Sequence, residues 1–255
     1  MTTPYSPETA TALAIGATTA GYVEGSGPTW DDDIATYNLR EADRRASILA
    51  LYQRDAIAAL HRALLPPTAT VRVLCAGDSI TLGTGSTDGA GYRPWLASLL
   101  VQRRINTQFT VIAQGGKTMR EMTPAILAAL PAACPDIVLI AFGTNDAAQP
   151  DLTDWAARCG QLVDQILASS PTVRVVVARP ALSRAAWLTT GEAAVDAAVD
   201  TVVNARKTGG RAASADMTTV PQRWTGDGVH PLDAGYLLMA QRWTDAINPW
   251  LPTPA

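Results

Sequence analysis

Five short runs of apolar, mostly β-branched residues punctuate the chain: VRVLCA (71–76), FTVIA (109–113), DIVLIAF (136–142), VRVVVA (173–178) and the weaker RAASAD (211–216). Between and after them lie segments whose apolar residues recur every three or four positions, at 92–104, about 120–131, 153–169, about 190–206 and 232–247. A strand that is apolar at every position has no face to give to water, so it belongs in a sheet covered on both sides. Strands separated by helix-length crossovers pair in parallel, and right-handed crossovers wind the helices onto the two faces. The expected fold is α/β: a three-layer α/β/α sandwich around a central parallel sheet of about five strands, flavodoxin-like. In such sheets ligands gather outside the carboxyl ends of the strands, so the residues just past each run carry most of the functional information.

Upstream of the sheet the chain changes character. Residues 1 to about 32 are rich in Thr, Ala, Gly and Pro without a period and read as an irregular arm. From Asp33 to Leu65 the pattern is helical. Leu39, Ala42, Ala46, Leu49, Ala56, Leu60 and Ala63 fall at three- and four-residue steps, Gln53 is the one polar interruption, and Pro66-Pro67 ends the helix. The stripe has two readings. It lays the helix against the chain's own body, or it is a heptad-like seam for a homo-oligomer through 33–65. His61 falls among polar neighbours and is expected to be exposed. The chain therefore divides into 1–68, an arm and a long amphipathic helix, and 69–255, the domain that carries the sheet.

Composition narrows the partners. With 47% apolar and 17% charged residues the chain can close a core, and a net charge of −3 gives no basic field to attract nucleic acid. The apolar runs are strand-sized, too short for membrane insertion. MTTPYSPETATALAIGATTAGYV lacks a basic n-region, so no secretory signal is evident; the expected setting is the cytoplasm or a larger secreted or particle assembly. Cys75, Cys134 and Cys159 form no C-x-x-C pair and no metal cluster with the two histidines, so no metal or organic cofactor is expected. Cys75 reads as a small buried apolar residue, and a Cys134–Cys159 disulfide stays open.

The first apolar run ends abruptly in Gly77-Asp78-Ser79. A serine hydroxyl is a poor nucleophile until a base takes its proton. His230, in DGVHP just before the last helical segment, is placed for that role, and Pro231 fits a first helical position. Asp227 precedes it by three residues, and Gly228 permits the turn that folds a carboxylate back onto the imidazole. Asp227 would then fix the tautomer and stabilise the imidazolium. Negative charge developing on a substrate oxygen needs donors. The Ser79 backbone N–H is one. A bare N–H at Gly116, with Gly115 the alternative, follows the second strand in QGGKT, and the Asn145 side-chain amide follows the third in GTND. Four loops at strand ends each supply a different role.

In chain order, GDSIT (77–81), Gly116 within QGGKT, GTND (143–146) and DGVHP (227–231) resemble the four sequence blocks of the SGNH (GDSL-type) hydrolase superfamily, over roughly residues 71–250. The second block is the loosest match, with Ala113-Gln114 where an asparagine is often found. The resemblance implies a serine esterase that forms an acyl-enzyme, with Ser79 as nucleophile, His230 as base and Asp227 as its partner. It implies an oxyanion hole of the Ser79 and Gly116 N–H groups and the Asn145 amide. The G-x-S-x-G elbow of α/β-hydrolases is absent, since Thr81 stands at its second glycine.

GDSITLGTG and GYRPWL, together with DGVHPLDAGYLLMAQRW, look most like the acetylxylan-esterase-like carbohydrate esterases. That implies removal of acetyl groups from a small-molecule or polysaccharide ester. Trp187 and Trp224 are the candidates for stacking on a sugar ring. Two alternatives stand beside this reading. One is a lipolytic esterase, lysophospholipase or thioesterase; the lack of a long apolar lid segment counts mildly against a lipase and leaves a lysophospholipase or thioesterase open. A non-catalytic carbohydrate-binding or structural subunit on the same fold is disfavoured by the complete set of roles.

Overall fold

A computed structural model describes Leu49 and residues 51–181, 189–220, 225 and 227–252. In chain order the elements are α1 (51–64), β1 (Ala69–Gly77), the single turn α2 (Ser79–Leu82), α3 (Arg93–Val101), β2 (Ile105–Ala113), α4 (Met119–Ala133), β3 (Ile137–Ala141), the turn α5 (Thr144–Ala147), α6 (Trp155–Ser169), β4 (Arg174–Arg179), α7 (Thr189–Asn204), β5 (Ala212–Asp216) and α8 (Asp233–Ile247).

The five apolar runs pair as one parallel sheet in the order β2-β1-β3-β4-β5, the expected sandwich. Ile137, Val138, Leu139 and Ile140 are each at most 2% exposed, so β3 gives neither face to water. From β1 the chain moves outward to β2, returns across β1 to β3, and then continues in the other direction. That reversal opens a crevice beyond the carboxyl ends of β1 and β3. The register sharpens it: Gly77 at the end of β1 is level with Ala113 of β2 and Ala141 of β3. Three loops leave the sheet at one height.

Alternation along the strands splits the core between two faces. Leu74, Ala76, Val138, Ile140, Val175 and Val177 join Met119, Ile126, Trp155, Leu162, Ile166, Val195 and Val199, from α4, α6 and α7, in one apolar cluster. Val73, Cys75, Ile137, Leu139 and Val176 point the other way. There α3 and α8 contribute Trp95, Leu96, Leu100, Tyr236, Met239 and Trp243, all at most 4% exposed. Each large side chain buried in this way contributes about 1.5–3 kcal/mol on leaving water. No helix among the described residues is long and apolar enough to cross a membrane.

Helix α1 corrects the reading that its stripe lies on the chain's own body. Its inward positions are Arg54 and Ala58, with Leu51 and His61 half-buried beside them. Ala56, Leu60 and Ala63 of the stripe face water instead, and His61 is more covered than its polar neighbours suggest. The cause is an anchor on the polar side. The Arg54 guanidinium donates to Asp55 and to Asp88, at 2.8 and 2.9 Å, and lies 4.8 Å over the Trp95 ring. A buried arginine with carboxylate partners and an aromatic face fixes the helix by that side. Leu39, Ala42 and Ala46 lie outside the described residues.

All three cysteines are free, so Cys134 and Cys159 do not pair. Burial pushes the Cys75 and Cys159 thiols up to about 12, while Cys134 is exposed. Ellman's reagent should therefore modify one thiol of the native chain quickly and the other two only after denaturation. Cys134→Ser should abolish the fast phase; a fast phase that survives it contradicts this packing.

Candidate active site

β1 ends at Gly77, where an added Cβ would stand 2.0 Å from Thr81 Oγ1 and 2.8 Å from Ala141 O. Only a residue without a side chain lets the chain fold so tightly from strand into α2. Asp78 caps that turn, its Oδ1 accepting from the Ile80 N–H at 2.9 Å. Ser79, the first residue of the turn, is half-buried, and its carbonyl accepts from the Gly83 and Thr84 N–H groups.

The His230 imidazole reaches this hydroxyl from 151 residues away, with Nε2 2.8 Å from Ser79 Oγ. His230 Nδ1 lies 2.6 Å from Asp227 Oδ2. Asp227 Oδ1 accepts from the backbone N–H groups of Val229 and His230, at 2.9 and 2.8 Å. Gly228, at φ +90°, makes the turn that other residues resist. Partial burial works against charge on Asp227. The His230 backbone and ring and the Val229 N–H outweigh it and bring the carboxyl down to about 2. An ionised Asp227 only accepts, so Nδ1 carries the ring proton and the Nε2 lone pair faces Ser79.

The glycine-rich stretch after α2 holds this loop in place. Asp233, only 4% exposed, accepts from the Thr87 N–H at 3.0 Å and from the Thr87 hydroxyl at 2.5 Å. The Tyr236 hydroxyl donates to Thr84 O at 2.7 Å. Sequence reasoning missed these residues. The partners are 146 and 152 positions apart, and such pairs leave no local spacing to read.

On the β3 side the Asn145 amide donates to Lys117 O at 3.1 Å and, more loosely, to Asp78 Oδ2 at 3.3 Å. Asp78 thereby ties the Ser79 turn to the amide, a role the sequence reading did not give it, although its place within GDS was a signal. Asp146, 3% exposed, accepts from the Met119 N–H and fastens the β3 loop to the start of α4, where Thr118 and Glu121 form a capping box. On the β2 side, a Cβ on Gly115 would lie 3.7 Å from Ser79 Cβ, whereas Gly116 has φ +74° and open space around it. Trp187 and Trp224 lie outside the described residues. A groove of about 710 Å³ lined by Arg72, Leu127, Pro131, Cys134 and Gln165 contains none of the site's residues.

Burial lifts the Asp78 carboxyl to about 6 against the pull of the Ile80 N–H, and the Asp146 carboxylate nearby lifts it further. Its folded pKa lies above its unfolded one. The stability gained from the neutral acid is therefore fully present below about pH 4 and lost as pH rises to about 6. Asp78→Asn stays neutral throughout. From pH 4 to 6.5 its unfolding free energy should move in its favour relative to wild type, by up to about 3 kcal/mol. At pH 7.5 its kcat should fall about tenfold or more, less than the 10²–10³ of losing an oxyanion donor outright. Urea titrations across pH check the first half; a stability difference that does not move with pH would contradict it.

Residues 75–238 match the model of the GDSL-like lipase/acylhydrolase family. No curated protein matches the sequence. Among solved structures, a family 3 carbohydrate esterase from Clostridium thermocellum superposes with a TM-score of 0.61 at 22% identity, covering 71% of this chain and 96% of that one. A lipase/acylhydrolase from Enterococcus faecalis gives 0.60 at 19% identity, covering 72% and 99%. A variant of an acetyl xylan esterase from Geobacillus stearothermophilus gives 0.55 at 21% identity, covering 70% and 94%. At these identities the likeness is one of fold.

Proposed function

The chain belongs to the GDSL-like lipase/acylhydrolase family and is a carboxylic ester hydrolase; we propose that it removes small acyl groups, acetyl above all, from a carbohydrate through a Ser79–His230–Asp227 triad. The observation that carries this reading is the hydrogen-bonded row from Ser79 Oγ through the His230 ring to Asp227, at 2.8 and 2.6 Å. His230 Nε2 takes the hydroxyl proton as Ser79 Oγ attacks the ester carbonyl. The oxygen that gains the electron pair is met by the Ser79 and Gly116 N–H groups and the Asn145 amide. His230 then returns its proton to the departing alcohol as the ester C–O bond breaks, leaving an acyl ester on Ser79. Water, deprotonated by His230, attacks that ester. The carboxylic acid leaves and Ser79 regains its proton. Asp227 stays ionised and holds the imidazolium at each stage.

The carbohydrate reading draws on the fold shared with a carbohydrate esterase and an acetyl xylan esterase. A second support is the surface. Among the described residues outside 49–65, the exposed large apolar side chains are Leu82 and Val111, too few to seat a long acyl chain. Trp187 and Trp224 would supply flat faces for the sugar.

Ser79→Ala and His230→Ala should each lower kcat on p-nitrophenyl acetate by about 10⁴ or more, and Asn145→Ala by about 10²–10³. A fluorophosphonate probe should label the wild type and not Ser79→Ala. Near-normal turnover by His230→Ala would remove the triad. Substrate class is read separately, with p-nitrophenyl esters of graded chain length and acetylated xylan. Acetate release with a preference for the shortest ester is expected, whereas kcat/KM rising with chain length would move the assignment to a lipolytic esterase or thioesterase.

A further inference from the structure

We propose that the outward side of α1 is a self-association face, packing against the same helix of a second copy of this chain. Eight large apolar side chains stand exposed among the described residues, and six of them lie at 49–65: Leu49, Tyr52, Ile57, Leu60, Leu64 and Leu65. The remaining two, Leu82 and Val111, are single residues on the body. A surface helix ordinarily turns its apolar stripe inward. Helix α1 is mounted the other way round, with Arg54 and Ala58 inward and Tyr52, Leu60 and Leu64 outward at 75%, 56% and 69% exposure.

The spacing identifies the occupant. In sequence, Leu39, Ala42, Ala46, Leu49, Gln53, Ala56, Leu60 and Ala63 step by three and four without a break, and Tyr52, Ile57 and Leu64 border that line. A strict seven-residue repeat suits a helix with the same repeat, and a lone polar residue at one seam position sets register. Outside 49–65 the exposed large apolar side chains among the described residues are the single Leu82 and Val111, so a helix-to-helix contact, each copy using the same face, is the pairing that covers this stripe. Exposed Asp55 and Arg62 carry opposite signs and raise no like-charge barrier. An exposed apolar patch on a monomer is on the order of 300–600 Å², which on pairing becomes about 600–1,200 Å² and reaches the range of small specific interfaces. A lipid surface fits less well, because helices that lie on membranes carry a basic polar face.

The test uses the full chain in sedimentation velocity from low to high micromolar concentration. The wild type should sediment at a multiple of 26.8 kDa. Leu60→Glu, alone and with Leu64→Glu, should sediment at the single-chain mass with p-nitrophenyl acetate turnover unchanged and a melting temperature that no longer rises with protein concentration. If Leu60→Glu loses turnover, Tyr52→Glu at the more exposed position takes its place and is read in the same way. A single-chain wild type overturns the proposal, as does a folded glutamate variant that keeps the larger mass. A single-chain wild type that pellets with phosphatidylcholine vesicles overturns it too and gives the face to lipid. None of these outcomes depends on the assignment of Ser79, His230 or Asp227.

Discussion

The parallel register of β1 against both neighbours is the constraint on which the rest depends. Parallel strands start and stop where their hydrogen-bond ladders do, and here Gly77, Ala113 and Ala141 sit side by side. The Ser79 turn, the Gly115-Gly116 loop and the Asn145 loop therefore emerge together at the point where strand order reverses. Nothing about a serine, two glycines or an asparagine would be notable if one strand slipped. A shift of one residue would also exchange the faces of Leu74 and Cys75 and bring the wrong side chains into each helical layer. The same packing that keeps the core closed thus holds the site in alignment.

Much of this was legible in the sequence because it is periodic or local. Runs such as DIVLIAF admit few structures, and the Asp227-to-His230 spacing fits within one turn. Three kinds of feature were not legible. The β2 strand begins at Ile105, before its apolar run, because INTQ lies on an edge strand and is partly exposed, so it carries no strong pattern. The helix α1 was open to two orientations, since periodicity identifies an apolar stripe without saying which way it faces. The deciding contact, Arg54 to Asp88 across 34 residues, has no signature in spacing. Thr87 and Asp233 were missed for the same reason.

Asp78 shows how the chain trades stability for position. A carboxylate that is 1% exposed beside another acid is costly, and the neutral acid is the form that burial favours. What the charge gives in return is a single acceptor that holds both the α2 backbone, through Ile80, and the Asn145 amide. One side chain thereby sets the relation between the Ser79 turn and the Asn145 amide. Local consistency is broken at the site, where sequences that otherwise fold with little conflict are expected to break it.

Asp227 and His230 share one four-residue turn, closed by the Val229 and His230 N–H groups on the carboxylate, which would give the triad proposed above a particular mode of failure. Drift of that turn as a unit would leave Asp227 and His230 joined and widen only their gap to the Ser79 hydroxyl. A displacement of 1 Å at such a gap costs about a hundredfold in rate. Warming would then silence the protein first by misalignment of two intact halves, a loss that cooling restores, well before the sheet itself melts.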